Sequence, residues 1–189
     1  MNAEIIAVGS ELLLGQIANT NAQYLSKKLS SIGINVFYHT SVGDNRDRIL
    51  EVLYIASKRS EIIILTGGLG PTLDDLTKET LAEFLNLGLV EDETSVNTIE
   101  SYMKMRGRPV TANSLKQAMF PQGSLILPND HGTAPGAIVK KLNKSYVVLP
   151  GPPFELEPMF ENYCLPHLAE YGDCKIVSRV LKKIGRAHV

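Results

Sequence analysis

The sequence predicts an α/β fold with a mostly parallel sheet. In the first half of the chain, short runs rich in β-branched residues alternate with amphipathic segments of helical length, which is the pattern of crossover βαβ units. The chain has 189 residues, 44% of them hydrophobic, which is enough apolar material for one globular core, or at most for a domain and a fragment.

The elements of the first half follow from the spacing of their apolar residues. Apolar side chains recur at helical spacing between Asn21 and Ser31, for example at Leu25 and Leu29, and again between Arg46 and Ser60. These two segments are predicted helices. They connect three predicted strands, Ala3–Val8, Val36–Val42 and Ile62–Thr66.

The second half changes from helices to short strands and ends in a helix and a strand. Leu142–Lys144 lies between two of these strands and predicts a hairpin turn. The predicted helices are Thr77–Leu85, Thr94–Met105, Ser114–Met119 and Phe154–Tyr163. The predicted strands are Ser124–Leu127, Ala137–Lys141, Ser145–Leu149 and Lys175–Lys183.

Charge and composition exclude several classes of protein. Nineteen basic and twenty acidic residues leave a formal charge of −1, so the chain has no sequence-wide field for nucleic acid or an anionic membrane. Its apolar runs are short and its N-terminus has no signal-peptide pattern, which predicts a cytoplasmic protein. Cys164 and Cys174 are too few for a disulfide scaffold or a thiolate zinc site.

The last six residues, Ile184–Val189, form no recognisable cap or packing segment. They match one reading frame of a common sequencing adapter, and we interpret them as an artificial tail. The predicted domain is therefore residues 1–183, with residues 184–189 left out of the fold.

A glycine-rich loop is the strongest local signal for function. Thr66 ends a predicted buried strand, and Gly67, Gly68 and Gly70 follow it directly. At the carboxyl end of a parallel strand, glycines let backbone N–H groups converge on an anion, so the loop predicts a phosphate or pyrophosphate site. The alternative is a tight strand-to-helix turn with Asp75 as an N-cap.

Acidic residues follow two of the predicted strands at the same sheet edge. Asp74 and Asp75 come after the glycine loop, and Asp44 comes after the second strand. Carboxylates beside a phosphate site suit Mg²⁺, which is held by few protein ligands together with water and phosphate oxygens. All three are predicted metal ligands. The alternative for Asp44 is a turn or a cap before the next helix.

Other polar and glycine-rich segments add candidate binding residues. The long connection after the first strand contains Glu11 and Asn19, of which Asn19 could instead cap the next helix. Asn113 and Lys116 surround a helix start, where an amide and a cation could face a phosphate, although this pattern is also ordinary surface polarity. A rigid Gly/Pro segment contains the last two candidates, Gly151 and Pro152.

Taken in order, these motifs resemble the N-terminal domain of the CinA family (competence/damage-inducible protein A), from about Ala3 to Lys183. The specificity of the resemblance rests on the series of motifs rather than on any single one. They are Gly9-Ser-Glu-Leu-Leu-Leu-Gly-Gln-Ile17 with Asn19-Thr-Asn21, Val42-Gly-Asp-Asn45, Thr66-Gly-Gly-Leu-Gly-Pro-Thr72 with Asp74–Glu79, Asn113 with Lys116-Gln-Ala118, His131-Gly-Thr-Ala-Pro-Gly136 and Pro150-Gly-Pro-Pro153.

The resemblance implies a three-layer α/β/α sandwich with the molybdopterin-binding fold of the MoaB and MogA proteins. By position, Asp44 and Asp75 match the acidic pair of the molybdopterin enzymes, which implies that both are catalytic. The glycine loop matches their phosphate loop. One departure is Leu69, where those pterin enzymes usually carry threonine.

The CinA branch resembles metal-dependent ADP-ribose pyrophosphatases, so the main hypothesis is hydrolysis of ADP-ribose or a related nucleotide. It needs a divalent metal, Mg²⁺ or else Mn²⁺ or Co²⁺. The alternatives are a molybdopterin-binding enzyme of molybdenum cofactor biosynthesis and a non-catalytic nucleotide-binding module. The expected partners are a small-molecule nucleotide or pterin phosphate, other copies in a homo-oligomer, and a C-terminal deamidase-like domain that this chain does not contain.

Overall fold

The computed structural model describes residues 1–171. Within them the strands are β1 (Asn2–Val8), β2 (Asn35–Val42), β3 (Ile62–Thr66), β4 (Leu89–Glu91), β5 (Met119–Pro121), β6 (Leu125–Leu127), β7 (Gly136–Lys141) and β8 (Lys144–Leu149). The helices are α1 (Ser10–Leu13), α2 (Thr20–Ser31), α3 (Arg46–Arg59), α4 (Thr77–Phe84), α5 (Glu93–Met105), α6 (Ala112–Lys116), α7 (Pro153–Met159) and α8 (Leu165–Ala169), with a π-helical turn at Phe160–Cys164.

Six of these strands form the central sheet, in the order β2-β1-β3-β8-β7-β6. The neighbours among β2, β1, β3 and β8 run parallel, whereas β7 and β6 continue the sheet in antiparallel pairs. This confirms the predicted α/β class with a mostly parallel sheet.

The two faces of the sheet are covered by different helices. Along β3, Ile62 and Ile64 face a core that α2 and α7 complete. Ile63 and Leu65 face a second core, completed by α3 and α4. Because successive strand residues point to opposite faces, the unbroken apolar run of β3 is explained by burial on both sides. The result is the predicted three-layer α/β/α sandwich.

The predicted hairpin between β7 and β8 is confirmed. Leu142 and Asn143 have φ angles of 53° and 59°, and Lys141 pairs with Lys144 across the turn. Two consecutive residues with positive φ are the geometry of a two-residue type I′ hairpin.

Two predicted helices differ from the structure. The predicted helix Ser114–Met119 is instead α6, which starts at Ala112 because Thr111 and Ser114 form a capping box. Met119 belongs to β5, which pairs with β4 in a small antiparallel sheet. The predicted helix Phe154–Tyr163 widens into the π-helical turn after Met159.

Some predictions lie outside the described residues. These are the final strand Lys175–Lys183, the domain end at residue 183, the artificial tail 184–189 and Cys174. Cys164 is described and is buried in the core. In residues 1–171, no helix has the length and apolar character needed to cross a membrane.

A buried ion pair links β1 of the central sheet to α3. Glu4 of β1 is 0% exposed, and its carboxylate accepts hydrogen bonds from Arg59 Nε at 2.9 Å and Nη2 at 2.7 Å. Thr40 Oγ1 donates to the same carboxylate at 2.9 Å. The Arg59 guanidinium also stacks on the ring of Tyr38, 3.6 Å from its centroid. Glu4 is therefore a charge that stays buried only because α3 supplies its counterion.

Candidate functional site

The carboxyl ends of the four parallel strands open into one cavity of about 730 Å³. The strands are followed there by Gly9, Asp44, Gly67 and Gly151, and all four residues line the cavity. The chain leaves β1 over one face of the sheet to reach β2 and returns over the other face to reach β3. A crevice at such a change of direction is the usual ligand site of an open α/β sheet.

The glycine loop, residues Gly67–Gly70, has its carbonyl groups turned toward protein donors. Thr77 Oγ1 donates to the Gly67 carbonyl at 2.8 Å, and Thr77 N donates to the Gly68 carbonyl at 3.2 Å. Gln117 Nε2 donates to the Leu69 carbonyl at 3.2 Å. The loop is therefore held from behind by the start of α4 and the end of α6.

The N–H groups of the same loop are mostly unpaired. Gly67 N donates to the Leu149 carbonyl at 3.0 Å, but the N–H groups of Gly68, Leu69 and Gly70 donate to no acceptor within residues 1–171. These three residues line the cavity. Three successive free backbone donors in a cavity wall are the arrangement that binds an anion.

Two positions in the loop require glycine. Gly67 and Gly68 have φ angles of 98° and 66°. A Cβ at Gly67 would overlap the Val8 carbonyl oxygen, and one at Gly68 would overlap the Thr77 hydroxyl. The loop can therefore pass this close to β1 and α4 only without side chains.

One asparagine connects the loops after β3 and β8. Asn21 Nδ2 donates to Thr66 Oγ1 at 3.0 Å and to the Gly151 carbonyl at 2.7 Å. Thr66 Oγ1 in turn donates to the Pro150 carbonyl at 3.1 Å. This chain of bonds fixes the distance between the glycine loop and the Gly/Pro segment, which form two walls of the cavity.

Each of the two predicted catalytic carboxylates is held by the backbone N–H and the hydroxyl of one nearby residue. Asp44 Oδ2 accepts hydrogen bonds from Ser10 N at 2.9 Å and Ser10 Oγ at 3.0 Å. Asp75 Oδ2 accepts bonds from Thr72 N at 2.9 Å and from Thr72 Oγ1. Neither aspartate is an N-cap, since Asn45 caps α3 and the residue before α4 is Leu76.

The predicted metal ligands line the cavity but do not form a protein cage. Asp44, Asp74 and Asp75 all border it. Within the described part of the chain, however, no three acidic, histidine or cysteine side chains are close enough to hold a metal ion by themselves. The Oδ1 atoms of Asp44 and Asp75 accept no hydrogen bond from residues 1–171. Such oxygens fit Mg²⁺ shared with water and a phosphate, rather than a closed metal site.

The remaining predicted residues divide into two groups. Glu11, Asn19, Gly151 and Pro152 border the cavity, although Asn19 also caps α2 by accepting from Ala22 N at 3.0 Å.

Asn113 and Lys116 do not border the cavity. Asn113 is exposed on α6. Lys116 Nζ donates to the carbonyls of Thr72, at 3.3 Å, and Asp75, and it lies 3.3 Å from Glu79. Lys116 therefore supports the loop from outside, where its ammonium group is bound by protein oxygens.

The side chains that fix these loops were not among the predicted site residues. They are neutral hydroxyls and amides, which sequence patterns do not distinguish from surface polarity. All five nevertheless lie within the motifs that carry the CinA resemblance. The full set is Ser10, Asn21, Thr72, Thr77 and Gln117.

Lys78 is a buried cation behind the glycine loop. It is 3% exposed, its Nζ donates to the Gln117 carbonyl at 2.6 Å, and it lies over the Phe120 ring. Burial lowers the pKa of Lys78 to about 8; the nearby Glu79 carboxylate opposes this shift, and the Lys116 ammonium adds to it.

This pKa predicts a pH-dependent stability difference. The folded-state pKa lies below the ordinary value of 10.5, so the unfolded chain binds more protons between about 8 and 10.5. The contribution of Lys78 to the free energy of unfolding should therefore rise with pH in this window. Urea denaturation of the wild type and Lys78→Met at about pH 7.5 and about pH 9.5 checks this. The free energy of unfolding of the wild type should increase relative to that of the variant at high pH. A difference between the two proteins that does not change with pH would contradict the prediction.

Comparison with known families identifies the domain. The model of the family described as "Probable molybdopterin binding domain" matches residues 4–170. The chain belongs to this family. It is 57% identical over 185 residues to a competence-damage inducible protein of Caldanaerobacter subterraneus, covering 98% of this chain and 45% of that protein. A Bacillus cereus protein of the same name is 56% identical over 186 residues. The chain spans about half the length of these relatives.

Solved structures confirm the fold and the CinA resemblance. CinA from Thermoplasma acidophilum, described as a protein of unknown function, is 35% identical with a TM-score of 0.78, covering 85% of this chain and 94% of that one. MoaB from Thermus thermophilus is 20% identical with a TM-score of 0.59, covering 90% of this chain and 94% of that one. The likeness to MoaB supports the predicted MoaB/MogA-like fold and nothing beyond it.

Proposed function

We propose that this domain binds the phosphate of a nucleotide or a pterin at the glycine loop. The supporting observation is how the loop is bound: its carbonyls accept from Thr77 and Gln117, whereas the N–H groups of Gly68, Leu69 and Gly70 find no acceptor within residues 1–171. The cavity of about 730 Å³ is of the size that small-molecule sites have.

Two ligand classes compete for this cavity. The family description and the name of MoaB favour a pterin. Leu69, where the pterin enzymes usually carry threonine, favours a nucleotide. Calorimetric titration with ADP-ribose and with a pterin phosphate, each with Mg²⁺, separates them. Tighter ADP-ribose binding supports a nucleotide site, and much tighter pterin binding supports a step in molybdenum cofactor biosynthesis.

A second candidate function is metal-dependent hydrolysis of ADP-ribose. It is favoured by Asp44 and Asp75, which reach the cavity from separate loops with one oxygen of each held by a neighbouring N–H and hydroxyl. In this proposal Asp44, Asp74 and Asp75 would hold a divalent ion, Mg²⁺, Mn²⁺ or Co²⁺. The bound ion would neutralise the pyrophosphate and lower the pKa of water.

The residues of the chain would then divide the work of hydrolysis. The free N–H groups of the glycine loop hold phosphate oxygens, and Ser10 and Thr72 keep the two aspartates oriented. Water adds to one phosphorus of ADP-ribose and the bridging P–O bond breaks, which gives AMP and ribose 5-phosphate. Electrostatic positioning supplies most of the rate enhancement in such reactions.

We expect Asp75→Asn to lower the rate of AMP release by about a hundredfold or more, the scale of losing one catalytic electrostatic contact. The asparagine still accepts from Thr72, so the loop is preserved and only the charge is lost. The matched control is Asp47→Asn, which changes an exposed carboxylate on α3. Equal turnover by Asp75→Asn and the control would contradict the role of Asp75. Tight ADP-ribose binding without product in any of the three metals would favour a non-catalytic binding module.

The homo-oligomer and the C-terminal deamidase-like domain stay predictions of the resemblance. Size-exclusion chromatography with light scattering tests the first of them.

A further inference from the structure

The cavity that is proposed to bind an anion has strongly acidic walls. Five carboxylates border it, and no lysine, arginine or histidine among residues 1–171 does so. Lys78 and Lys116 lie behind the glycine loop, where they donate to backbone carbonyls. The five acids are Glu11, Asp44, Asp74, Asp75 and Glu155.

Three of these carboxylates pack directly against glycines. A Cβ at Gly9 would overlap the Glu11 carboxylate, and a Cβ at Gly70 would overlap that of Asp75. The Glu155 carboxylate lies against Gly132 in the same way and accepts from Asn129 Nδ2 at 2.6 Å. The Asp75 and Glu155 carboxylates are also held by hydrogen bonds from Thr72 and Asn129, and Glu11 is an exposed member of the wall.

A neutral acceptor adds to this pattern. Gln117 borders the cavity and is 2% exposed, and its Oε1 has no hydrogen-bond partner within residues 1–171. Its orientation is fixed, because Nε2 must face the Leu69 carbonyl, which can only accept. A buried acceptor without a donor is costly, so the wall favours ligands that bring donors or cations.

We propose that Glu11 and Glu155 exclude the metal-free form of the phosphorylated ligand, so that the cavity takes it only as a complex with divalent cations. This inference rests on the proposed function. A free pyrophosphate would add negative charge to five carboxylates, and each like-charge pair is repulsive over the width of such a cavity. Cations bound together with the ligand reverse the sign of that interaction. By linkage, ligand and cation must then increase each other's affinity by the same factor.

The experiment measures binding rather than turnover. The probe is the methylene-bridged analogue of ADP-ribose, which lacks the bridging oxygen and is not hydrolysed there. Its dissociation constant is measured by calorimetry in EDTA and in Mg²⁺, for the wild type and for Glu11→Gln/Glu155→Gln. Glutamine at position 155 can still accept from Asn129. The control is Glu51→Gln/Glu157→Gln, which removes two exposed carboxylates that do not border the cavity.

For the wild type we expect binding about a hundredfold weaker in EDTA than in Mg²⁺. The Glu11→Gln/Glu155→Gln variant should bind the metal-free probe about tenfold more tightly than the wild type, and the control should not. Equal wild-type affinity in EDTA and Mg²⁺ would overturn the inference and leave the proposed phosphate site intact. So would a variant that gains no metal-free affinity. Absence of binding in both buffers would contradict the nucleotide form of the proposed function, and the inference with it.

Discussion

Replacing Gly67 with alanine is expected to destabilise the domain by about 4 kcal/mol or more. The new Cβ would overlap the carbonyl oxygen of Val8, and Val8 ends β1, a strand buried between β2 and β3. That oxygen cannot move without breaking the sheet. The φ angle of 98° is a further strain for alanine. The change should appear as a lower urea midpoint in circular dichroism.

A control variant separates the effect of the Cβ overlap on stability from the effect of the positive φ angle. Gly107 also has a positive φ, 63°, but a Cβ there would meet no atom of the described part of the chain within 4 Å. Gly107→Ala should therefore cost only about 1 kcal/mol, the price of a left-handed backbone for an L-residue. If both variants lose the same stability, close approach to β1 is not what requires a glycine at position 67.

Replacing Arg59 with leucine is expected to destabilise the domain by about 3 kcal/mol. Among residues 1–171, the change leaves the Glu4 carboxylate, which is 0% exposed, with the Thr40 hydroxyl as its one hydrogen-bond partner. Removing one partner of a buried ion pair costs about 3–5 kcal/mol, and the lower end applies because the Arg59 side chain is 35% exposed. The measurement is again the free energy of unfolding in urea.

Two further variants check the cause. Arg48→Leu lies on the exposed face of the same helix and should change stability by less than about 0.5 kcal/mol. Glu4→Gln/Arg59→Leu removes both charges and should recover most of the loss, since the unpaired buried charge is gone. A double variant as unstable as Arg59→Leu would show that the stacking of Arg59 on Tyr38, rather than its ion pair, supports this end of the sheet.

The sequence predicts the site well where function depends on backbone position. The buried run of β3 followed by Gly67, Gly68 and Gly70 predicts both the strand and the loop, because an apolar run that ends in clustered glycines is typical of a buried strand leading into a ligand loop. Asp44 is found at the same edge because β2 and β3 are parallel to β1 and end level with it.

The sequence predicts the site poorly where function depends on which way a polar side chain turns. Lys116 carries a cation of the kind that binds phosphate. In the structure, however, its ammonium group donates to the backbone carbonyls of Thr72 and Asp75. The short pair β4 and β5 was missed because each strand has three residues, too few for a period of two to be visible. Both outcomes depend on contacts between residues far apart in the chain.

The most direct test of the phosphate site is an NMR titration of the ¹⁵N-labelled chain with the methylene-bridged ADP-ribose analogue and Mg²⁺. A second cavity, of about 480 Å³, lies at the opposite end of the sheet beside Lys140 and Lys144 and gives the alternative location. The proposed phosphate site predicts saturable shifts that are largest at the amides of Gly68, Leu69 and Gly70. Saturable shifts concentrated around Lys140 and Lys144, with the glycine-loop amides unchanged, would contradict it.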